Sequence, residues 1–321
     1  MPPHFFSQLA HVELITPKPQ QSLEFFRDLL GLEESGREGQ SVYLRAWGEF
    51  LHHSLKLTEG PQAGLGHTGW RADGPEALED LVAALDDRGA GEGWTDGDTG
   101  HGPAYRFRTP DGHLCEAFWE VEWYCAPEAM QTRLISRPQK FLGRGAAVRR
   151  LDHVTLCASD VRSCGTFFGD LGFKCNEGLL NASGGEIGRW MAVSNISHDL
   201  GLLVDREGLR ARLNHVCFWQ DSREDVMRTA DLVRDAGVTI EYGPGKHGIT
   251  DTFFMYVTEP AGHRIEINSG GYLNMAPDRP PVMWTAPNRD GTAWWGAGAP
   301  PESLYLDAMP TISSDVGVLR A

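Results

Sequence analysis

The chain lacks any apolar run close to the roughly 20 residues that a membrane-spanning helix requires. It also lacks a run of lysine and arginine, and its 29 basic residues stand against 44 acidic ones, for a formal net charge of −15. A surface of that sign repels nucleic acid and anionic membranes, so neither is expected as a partner. The start, Met1-Pro2-Pro3-His4, has neither the basic nor the apolar stretch of a signal peptide, and we expect a cytoplasmic protein.

Cysteine is scarce and is not arranged in pairs. The six cysteines contain no C-x-x-C spacing, so the sequence predicts neither a zinc ribbon nor a disulfide framework. With 41% hydrophobic and 23% charged residues, the composition is that of a globular protein rather than a disordered one. A length of 321 residues indicates two domains.

Two long-range copies run through the chain. His11 and His153 each open an alternating apolar stretch that predicts a half-buried strand. At the same distance from each histidine, a pair of phenylalanines lies in an amphipathic helical pattern. Each pattern ends at a glycine, Gly31 in the first copy and Gly172 in the second, as helices commonly do.

The match between the copies persists further along the chain. His67 parallels His215, and each precedes a helical pattern that ends at a glycine. A Pro-x-Gly-His turn then feeds a strand that carries Glu116 in the first copy and Glu266 in the second. The four predicted helices are 22–30, 77–88, 163–171 and 225–236.

These matched spacings predict an α+β protein of four strand–helix–strands modules, paired into two tandem domains. The modules are expected at about 5–60, 61–125, 148–206 and 208–270. The expected organisation is an N-terminal domain, a linker, a C-terminal domain and a tail, at 1–125, 126–147, 148–270 and 271–321. The tail has no matching copy. We expect it to wrap a domain or a subunit contact, with a cover over the active site as the alternative.

Three polar residues of the second copy suggest a metal site. His153, His215 and Glu266 hold corresponding strand positions in their modules, so closure of two modules could bring them together. Two neutral imidazoles and one carboxylate form a facial triad that leaves three positions open on Fe(II) or Mn(II). A bidentate substrate and O2 could then bind side by side. The residues alone leave a second interpretation open, in which they are three unconnected polar side chains.

A longer motif resembles a known family. Residues 245–266 read GKHGITDTFFMYVTEPAGHRIE, and the ligand candidates lie in LDH at 151–153 and LNH at 213–215. This pattern resembles the type I extradiol catechol dioxygenases, of the catechol 2,3-dioxygenase or metapyrocatechase kind, over about residues 8–296. That family belongs to the vicinal oxygen chelate superfamily. Its glyoxalase/bleomycin-resistance-like fold pairs βαβββ modules in tandem domains.

The resemblance implies roles for individual residues. It implies that the metal ligands are His153, His215 and Glu266. His198 matches the acid/base histidine of the family, while His247 and Tyr256 match groups that contact the substrate or its oxygens. Thr155 and Trp190 lie where the family lines its pocket.

The implied activity is Fe(II)-dependent cleavage of a catechol ring by O2, with Mn(II) as the other possible ion. The expected product is a semialdehyde of the 2-hydroxymuconic type, formed in the breakdown of aromatic compounds. A catecholic small molecule and O2 are therefore the expected partners. Relatives also imply a homo-oligomer, with a tetramer favoured.

Two positions depart from the branch of the family that acts on carboxylated catechols such as homoprotocatechuate. The resemblance implies two further pocket positions, where that branch has arginines and this chain has Tyr242 and Thr292. Without both cationic anchors, a substrate with an acidic side chain is disfavoured. We therefore expect a neutral catechol, unsubstituted or with an alkyl or aryl group.

The N-terminal copy retains a second set of triad residues, where the family usually has a degraded site. This alternative, relic metal site consists of His11, His67 and Glu116. His53 stands at the place of His198, and His101 precedes a strand. However, Arg106 stands at the position of Tyr256, and a guanidinium there would repel a nearby dication. We therefore expect a relic that holds no metal.

Two other functions stay open from the sequence. Glyoxalase-like lyases and isomerases also place histidine and glutamate on paired modules, but they leave His198, His247 and Tyr256 without a shared role. A metal-free protein of the same fold that binds an aromatic compound is the other alternative. Three buried polar groups without a metal would lower the stability of such a protein.

Overall fold

The computed structural model describes residues 4–285 and 289–312. Expectations that concern 1–3, 286–288 and 313–321, namely the very start of the chain and parts of the tail, lie outside the described residues. Two large β-sheets with a few helices make up the described part.

The first sheet has eight strands in the order β2-β3-β4-β1-β5-β8-β7-β6. These strands are β1 (Phe6–Thr16), β2 (Glu33–Glu38), β3 (Ser41–Arg45), β4 (Leu55–Glu59), β5 (Gly64–Ala72), β6 (Gly91–Thr95), β7 (Ala104–Arg108) and β8 (Leu114–Phe118). Helix α1 (Pro19–Leu23), which continues as a wider helical turn (Glu24–Leu29), follows β1, and α2 (Pro75–Asp87) follows β5. Each half is therefore one βαβββ module.

The second sheet repeats this order with every strand number raised by eight, as β10-β11-β12-β9-β13-β16-β15-β14. Its strands are β9 (Arg150–Ala158), β10 (Lys174–Leu180), β11 (Glu186–Ala192), β12 (Leu200–Val204), β13 (Arg212–Trp219), β14 (Ile240–Lys246), β15 (Thr252–Thr258) and β16 (Arg264–Gly270). Helix α3 (Val161–Asp170) follows β9, and α4 (Arg223–Asp235) follows β13. The predicted α+β architecture of paired modules is confirmed.

The tail adds two strands to the second sheet. β17 (Val282–Trp284) pairs in parallel with β10, and β18 (Met309–Pro310) pairs with β13. A short helix, α5 (Ser303–Leu306), lies between them. Single helical turns occur at Glu128–Met130, Ile249–Asp251 and Arg289–Gly291. The described tail therefore packs on the C-terminal domain.

The helix ends follow from local chemistry. Gly31 and Gly172, the predicted stop positions, have φ values of 82° and 94°, which L side chains rarely adopt. At the other end of α3, the Asp160 carboxylate accepts a hydrogen bond from the amide of Ser163, and Ser222 caps α4 in the same way. The four helices predicted from periodicity are therefore confirmed, with shifted ends.

The repeated Pro-x-Gly-His turns join the two domains. The His113 Nε2 lies 3.0 Å from the backbone carbonyl of Cys157 on β9, and the His263 Nε2 lies 2.9 Å from that of Ile15 on β1. Both imidazoles are fully buried. The duplicated histidines of this motif therefore hold one domain against the other.

Apolar packing continues across the same boundary. The ring of Phe173, next to β10, lies 4.9 Å from Trp70 and 5.5 Å from Phe6 of the N-terminal sheet, measured between ring centres. One buried cluster runs through both domains. Within the described ranges, we find no helix with the length and apolarity needed to cross a membrane.

Candidate metal centre

Neighbouring strands of the C-terminal sheet bring the predicted triad together. β9, β13 and β16 lie side by side and carry His153, His215 and Glu266. The two Nε2 atoms are 3.1 Å apart, and they lie 3.2 and 3.1 Å from the Glu266 Oε2. All three side chains are buried. The interpretation as three unconnected polar residues is therefore wrong.

Each imidazole is oriented by the residue that precedes it. The His153 Nδ1 lies 2.8 Å from the Asp152 carboxylate, and the His215 Nδ1 lies 2.7 Å from the Asn214 side-chain oxygen. Because Nδ1–H donates to these acceptors, each Nε2 is directed toward the centre. Asp152 in turn accepts a hydrogen bond from Asn268 at 2.9 Å.

These orienting residues depend on local irregularity in the strands. Consecutive side chains of a regular strand point to opposite faces, so Asp152 would not contact His153, nor Asn214 contact His215. The pairing of β9 with β13 shifts register at both Asp152 and Asn214. Such bulges turn neighbouring side chains toward one another. The sequence predicted no role for either residue, because side chains that alternate between the two faces of a strand would not bring neighbours into contact.

The electrostatics of the triad favour a cation at its centre. Burial lowers the pKa of His153, but hydrogen bonds to Asp152 and Glu266 outweigh burial and raise it to about 9. Burial lowers the pKa of His215 to about 4. Burial would raise the pKa of Glu266, but the bonds from both histidines hold it well below its usual range. A proton shared by such ligands occupies the place of a metal ion.

The donor set fits a divalent metal. Donor atoms bound to one ion at about 2.1 Å are separated by roughly 3.0–3.4 Å, and the observed separations of 3.1–3.2 Å match. Each Nδ1 is engaged by its neighbour, so both Nε2 atoms can bind a metal ion that replaces the shared proton, and the carboxylate is ionised. His153, His215 and Glu266 could therefore hold Fe(II) or Mn(II).

A cavity opens beside the triad. Cavities of this kind are the usual binding places of small molecules. Thr155, Trp190 and Thr292 line it, as expected. Its other walls are mainly apolar and come from Leu179, Leu203, Ile249, Leu304 and Tyr305, among others.

Tyr242 does not line this cavity, which corrects its placement in the pocket. Its ring packs against Phe254 and Tyr256, and its hydroxyl donates to the backbone carbonyl of Gly298 at 3.0 Å. Since Tyr256 stands between Tyr242 and the cavity edge, only Thr292 of the two departing positions contacts the cavity.

His198 lies beside the triad as a neutral imidazole. Its ring centre is 3.9 Å from that of His153, and its Nδ1 is 3.1 Å from the Ser197 hydroxyl oxygen. Burial, supported by the charge on His153, holds the pKa of His198 well below its ordinary value. A neutral imidazole at a cavity wall can accept a proton and return it.

His247 and Tyr256 form a hydrogen-bonded pair on another wall. The His247 Nδ1 donates to the carbonyl of Thr292, so its Nε2 accepts a bond from the Tyr256 hydroxyl at 3.2 Å. Burial raises the pKa of Tyr256 well above its ordinary value, so the hydroxyl keeps its proton. The His247 Nε2 is 3.9 Å from Glu266, too far to act as a fourth ligand.

One buried carboxylate that sequence reasoning missed holds the tail in place. Glu177 accepts hydrogen bonds from the amide of Thr250 at 2.7 Å, from the Tyr272 hydroxyl at 2.9 Å and from the Trp284 indole at 2.5 Å. Thr292, supplied by the tail, then reaches the cavity. Glutamate is rarely buried, and the burial of Glu177 that marks it as important is visible only in the structure. The described part of the tail thus packs on the C-terminal domain, as expected, and also lines the cavity, as the alternative held.

The N-terminal triad also comes together. The His11 and His67 Nε2 atoms are 2.9 Å apart and lie 3.3 and 3.1 Å from the Glu116 Oε1. All three side chains are buried. His53 packs against His11, with 4.7 Å between ring centres.

Replacing Asp152 with asparagine is expected to weaken metal binding by about 10- to 100-fold, because the charged acceptor that orients His153 is lost. The Kd is measured by competition with a chromophoric chelator. Asn214→Ala, which removes the neutral acceptor of His215, is the matched comparison and should have a smaller effect. An unchanged Kd for Asp152→Asn would contradict the orienting role.

Comparison with known proteins agrees with this geometry. The model of the glyoxalase/bleomycin resistance protein/dioxygenase superfamily matches residues 8–117 and 150–267. A metapyrocatechase of Geobacillus stearothermophilus is 43% identical over 314 residues, which are 97% of this chain and 95% of that protein. A manganese-dependent 2,3-dihydroxybiphenyl 1,2-dioxygenase of Geobacillus genomosp. 3 is 39% identical over 299 residues, 90% of this chain and 94% of that one.

Solved structures of extradiol dioxygenases are also similar to this chain. The anaerobic substrate complex of homoprotocatechuate 2,3-dioxygenase from Brevibacterium fuscum superimposes with a TM-score of 0.86 at 30% identity, covering 98% of this chain and 95% of that one. Relatives that match nearly end to end support neither the lyase nor the metal-free alternative. The chain therefore belongs to the glyoxalase/bleomycin resistance protein/dioxygenase superfamily and, within it, to the type I extradiol catechol dioxygenases.

Proposed function

We propose that the C-terminal domain cleaves the ring of neutral catechols with O2, beside the two hydroxyl-bearing carbons, at an Fe(II) ion held by His153, His215 and Glu266. One observation carries the proposal: three buried donor atoms converge at the edge of a mainly apolar cavity. A metapyrocatechase and a dihydroxybiphenyl dioxygenase among the relatives support catechols without an acidic side chain.

Bound in this triad, Fe(II) would acidify the catechol hydroxyls and allow electrons to pass from the ring to O2. The manganese-dependent relative supports Mn(II) as the alternative ion. Metal-depleted protein reloaded anaerobically with either ion separates the two. We expect the higher kcat with Fe(II), and a more active Mn(II) form would overturn this choice.

His198 is the proposed proton carrier. Its neutral imidazole lines the cavity next to the triad, so it can take a proton from a catechol hydroxyl and later deliver one to an oxygen derived from O2. Its position against the His153 ring keeps it within reach of groups bound at the metal.

Tyr256 and His247 are proposed to orient the substrate. The Tyr256 hydroxyl, which donates to His247, can turn its hydrogen bond to a substrate oxygen that arrives beside Glu266. Thr155 is a further contact, because its buried hydroxyl has no hydrogen-bond partner among the described residues and faces the cavity.

The cavity wall selects against charge on the ring substituent. No lysine or arginine is among the described side chains that line it. A carboxylate there would lose its hydration without gaining a cationic partner. We expect kcat/KM for catechol and 3-methylcatechol to exceed that for homoprotocatechuate by at least about tenfold, the effect of one charge-assisted hydrogen bond. The opposite order would refute the substrate proposal.

Thr292→Arg tests the same point by gain of function. Since Thr292 lines the cavity, a guanidinium there could pair with a carboxylate. The ratio of kcat/KM for homoprotocatechuate to that for catechol is expected to rise about tenfold. Thr292→Gln, of similar length but uncharged, is the control and should leave the ratio close to its starting value. An equal change in both variants would contradict a charge effect.

Assembly into a homo-oligomer, a tetramer by resemblance, and a cytoplasmic location stay predictions. Light scattering during size-exclusion chromatography measures the first directly.

A further inference from the structure

The N-terminal domain contains a fourth donor beside its triad. The His101 Nε2 lies 3.3 Å from the Glu116 Oε1, the oxygen that also faces His11 and His67. The His101 side chain is 2% exposed, so all four groups are buried. His11, His101 and Glu116 place one donor atom each within 4.8 Å of the others, and the His67 Nε2 lies 2.9 Å from that of His11.

The imidazoles are oriented as metal ligands are. The His67 Nδ1 lies 2.8 Å from the Glu13 carboxylate, and the His101 Nδ1 lies 2.9 Å from the carbonyl of Gly102. These contacts place the proton on Nδ1 and turn the Nε2 lone pairs toward the Glu116 carboxylate. Imidazole nitrogens that face a carboxylate oxygen at this distance need a cation between them, which is a shared proton or a metal ion.

Two of the atoms have no hydrogen bond to account for their burial. Among the described residues, the His101 Nε2 and the Glu116 Oε1 face each other at 3.3 Å, but neither makes a hydrogen bond of good geometry. Buried polar atoms in folded proteins are nearly always paired. Both atoms point into the same small space, so one ligand could satisfy both.

The strand that carries His67 is shaped around this cluster. A Cβ atom at Gly66 would lie 2.2 Å from the Glu13 carboxylate, and one at Gly69 would lie 2.2 Å from the His11 ring. Both distances are far below van der Waals contact. The two glycines of β5 therefore make room for a ligand and for the carboxylate that orients another ligand.

The fourth donor makes this site differ from the catalytic one. In the C-terminal domain, Tyr256 lies opposite Glu266 and engages His247, which stays 3.9 Å from Glu266. In the N-terminal domain, Arg106 takes the tyrosine position opposite Glu116. Its Nε lies 3.6 Å from the Oε2 of that carboxylate, whereas the three histidines face the Oε1. The Arg106 charge, which was the reason to expect an empty site, therefore approaches the Glu116 oxygen that does not face the histidines.

Aromatic packing supports the fourth donor. The His101 ring stacks on Phe118, with 4.1 Å between ring centres and 14° between planes. A set of four protein donors is typical of structural metal sites, whereas catalytic sites keep a position for substrate.

We propose that His11, His67, His101 and Glu116 hold a second divalent ion of the Zn²⁺ class, which stabilises the N-terminal domain and binds neither catechol nor O2. The proposal is independent of the ring-cleavage function, because it concerns a different domain and a different donor set.

Metal counting on the full-length protein tests it. Protein depleted by a strong chelator, reloaded with excess Zn²⁺ and desalted is expected to hold about two ions per chain. His101→Gln and His215→Gln, matched substitutions of one histidine in each domain, should each lose about one ion. One ion in the wild-type chain and none in His215→Gln would overturn the proposal.

Co²⁺ loading reports the geometry as well as the count. Four-coordinate Co²⁺ absorbs visible light far more strongly than six-coordinate Co²⁺, so His215→Gln should keep an intense visible band that the His101→Gln/His215→Gln protein loses. The single variant His215→Gln suffices if His101→Gln does not fold. Zn²⁺ should also raise the Tm of His215→Gln by about 5 °C or more. Absence of both the band and the Tm shift in His215→Gln would contradict a second site.

Discussion

Replacing His215 with alanine is expected to abolish ring cleavage, with a loss in kcat/KM of at least about a thousandfold. The substitution removes one of three donors and leaves Glu266 with a single imidazole neighbour at 3.2 Å. A metal held by two ligands dissociates readily, so the metal content should fall together with the activity. The yellow ring-opened product, followed by its visible absorbance after Fe(II) loading, is the measurement.

Asn214→Ala is the matched control, because it removes the acceptor at the His215 Nδ1 but keeps the ligand. We expect this variant to bind Fe(II) more weakly, so that its activity rises toward the wild-type value as the Fe(II) concentration is raised. Full activity of His215→Ala at the same Fe(II) concentration would contradict the assignment of His215 as a ligand.

Replacing His198 with glutamine is expected to lower kcat by about 10²- to 10⁴-fold while the metal stays bound. The amide can still form hydrogen bonds in the same space, but it does not carry protons between oxygens. The Kd for the anaerobic catechol complex should change little, because the triad and the cavity walls are intact. Stopped-flow kinetics with metal analysis on the same samples separates the two effects.

Ser197→Ala serves as the comparison for His198, since it removes the hydroxyl 3.1 Å from the His198 Nδ1 and leaves the imidazole. The expected loss in kcat is below about tenfold, in line with one neutral hydrogen bond. If His198→Gln turned over catechol as fast as Ser197→Ala, the proton-carrying role would be wrong.

The duplication of the paired-module domain is the feature of the fold that the sequence predicts best. Strand alternation and the phenylalanine pairs repeat at fixed distances, and the two sheets have the same strand order. Because the ligand candidates occupy matched strand positions, the pattern also predicted which of twelve histidines would meet. His153 and His215 then lie on adjacent strands, 3.1 Å apart.

Contacts that break strand periodicity could not be predicted in this way. Asp152 and Asn214 orient the ligand histidines only because bulges place them beside those rings. Tyr242 was placed in the pocket by its alignment with a pocket residue of the family, yet Tyr256 separates it from the cavity. Sequence position gives the strand, but side-chain packing decides which residue reaches the cavity.

Long-range contacts from the tail were also hidden. Leu304 and Tyr305 reach the cavity because the tail packs on the domain, and that segment has no copy elsewhere in the chain. Thr292 was placed there only by the resemblance. His101 is a similar case, since no residue at the matching distance in the second copy acts as a fourth donor. A duplication identifies what the copies share, whereas these residues are where the copies differ.

The most direct test of the central claim is an anaerobic crystal structure of the Fe(II)-loaded protein with catechol. We predict iron bonded to His153, His215 and Glu266, with both catechol oxygens on the same ion and the ring among the apolar walls near Trp190. Iron bound away from these three residues, or catechol held without contact to the metal, would contradict it.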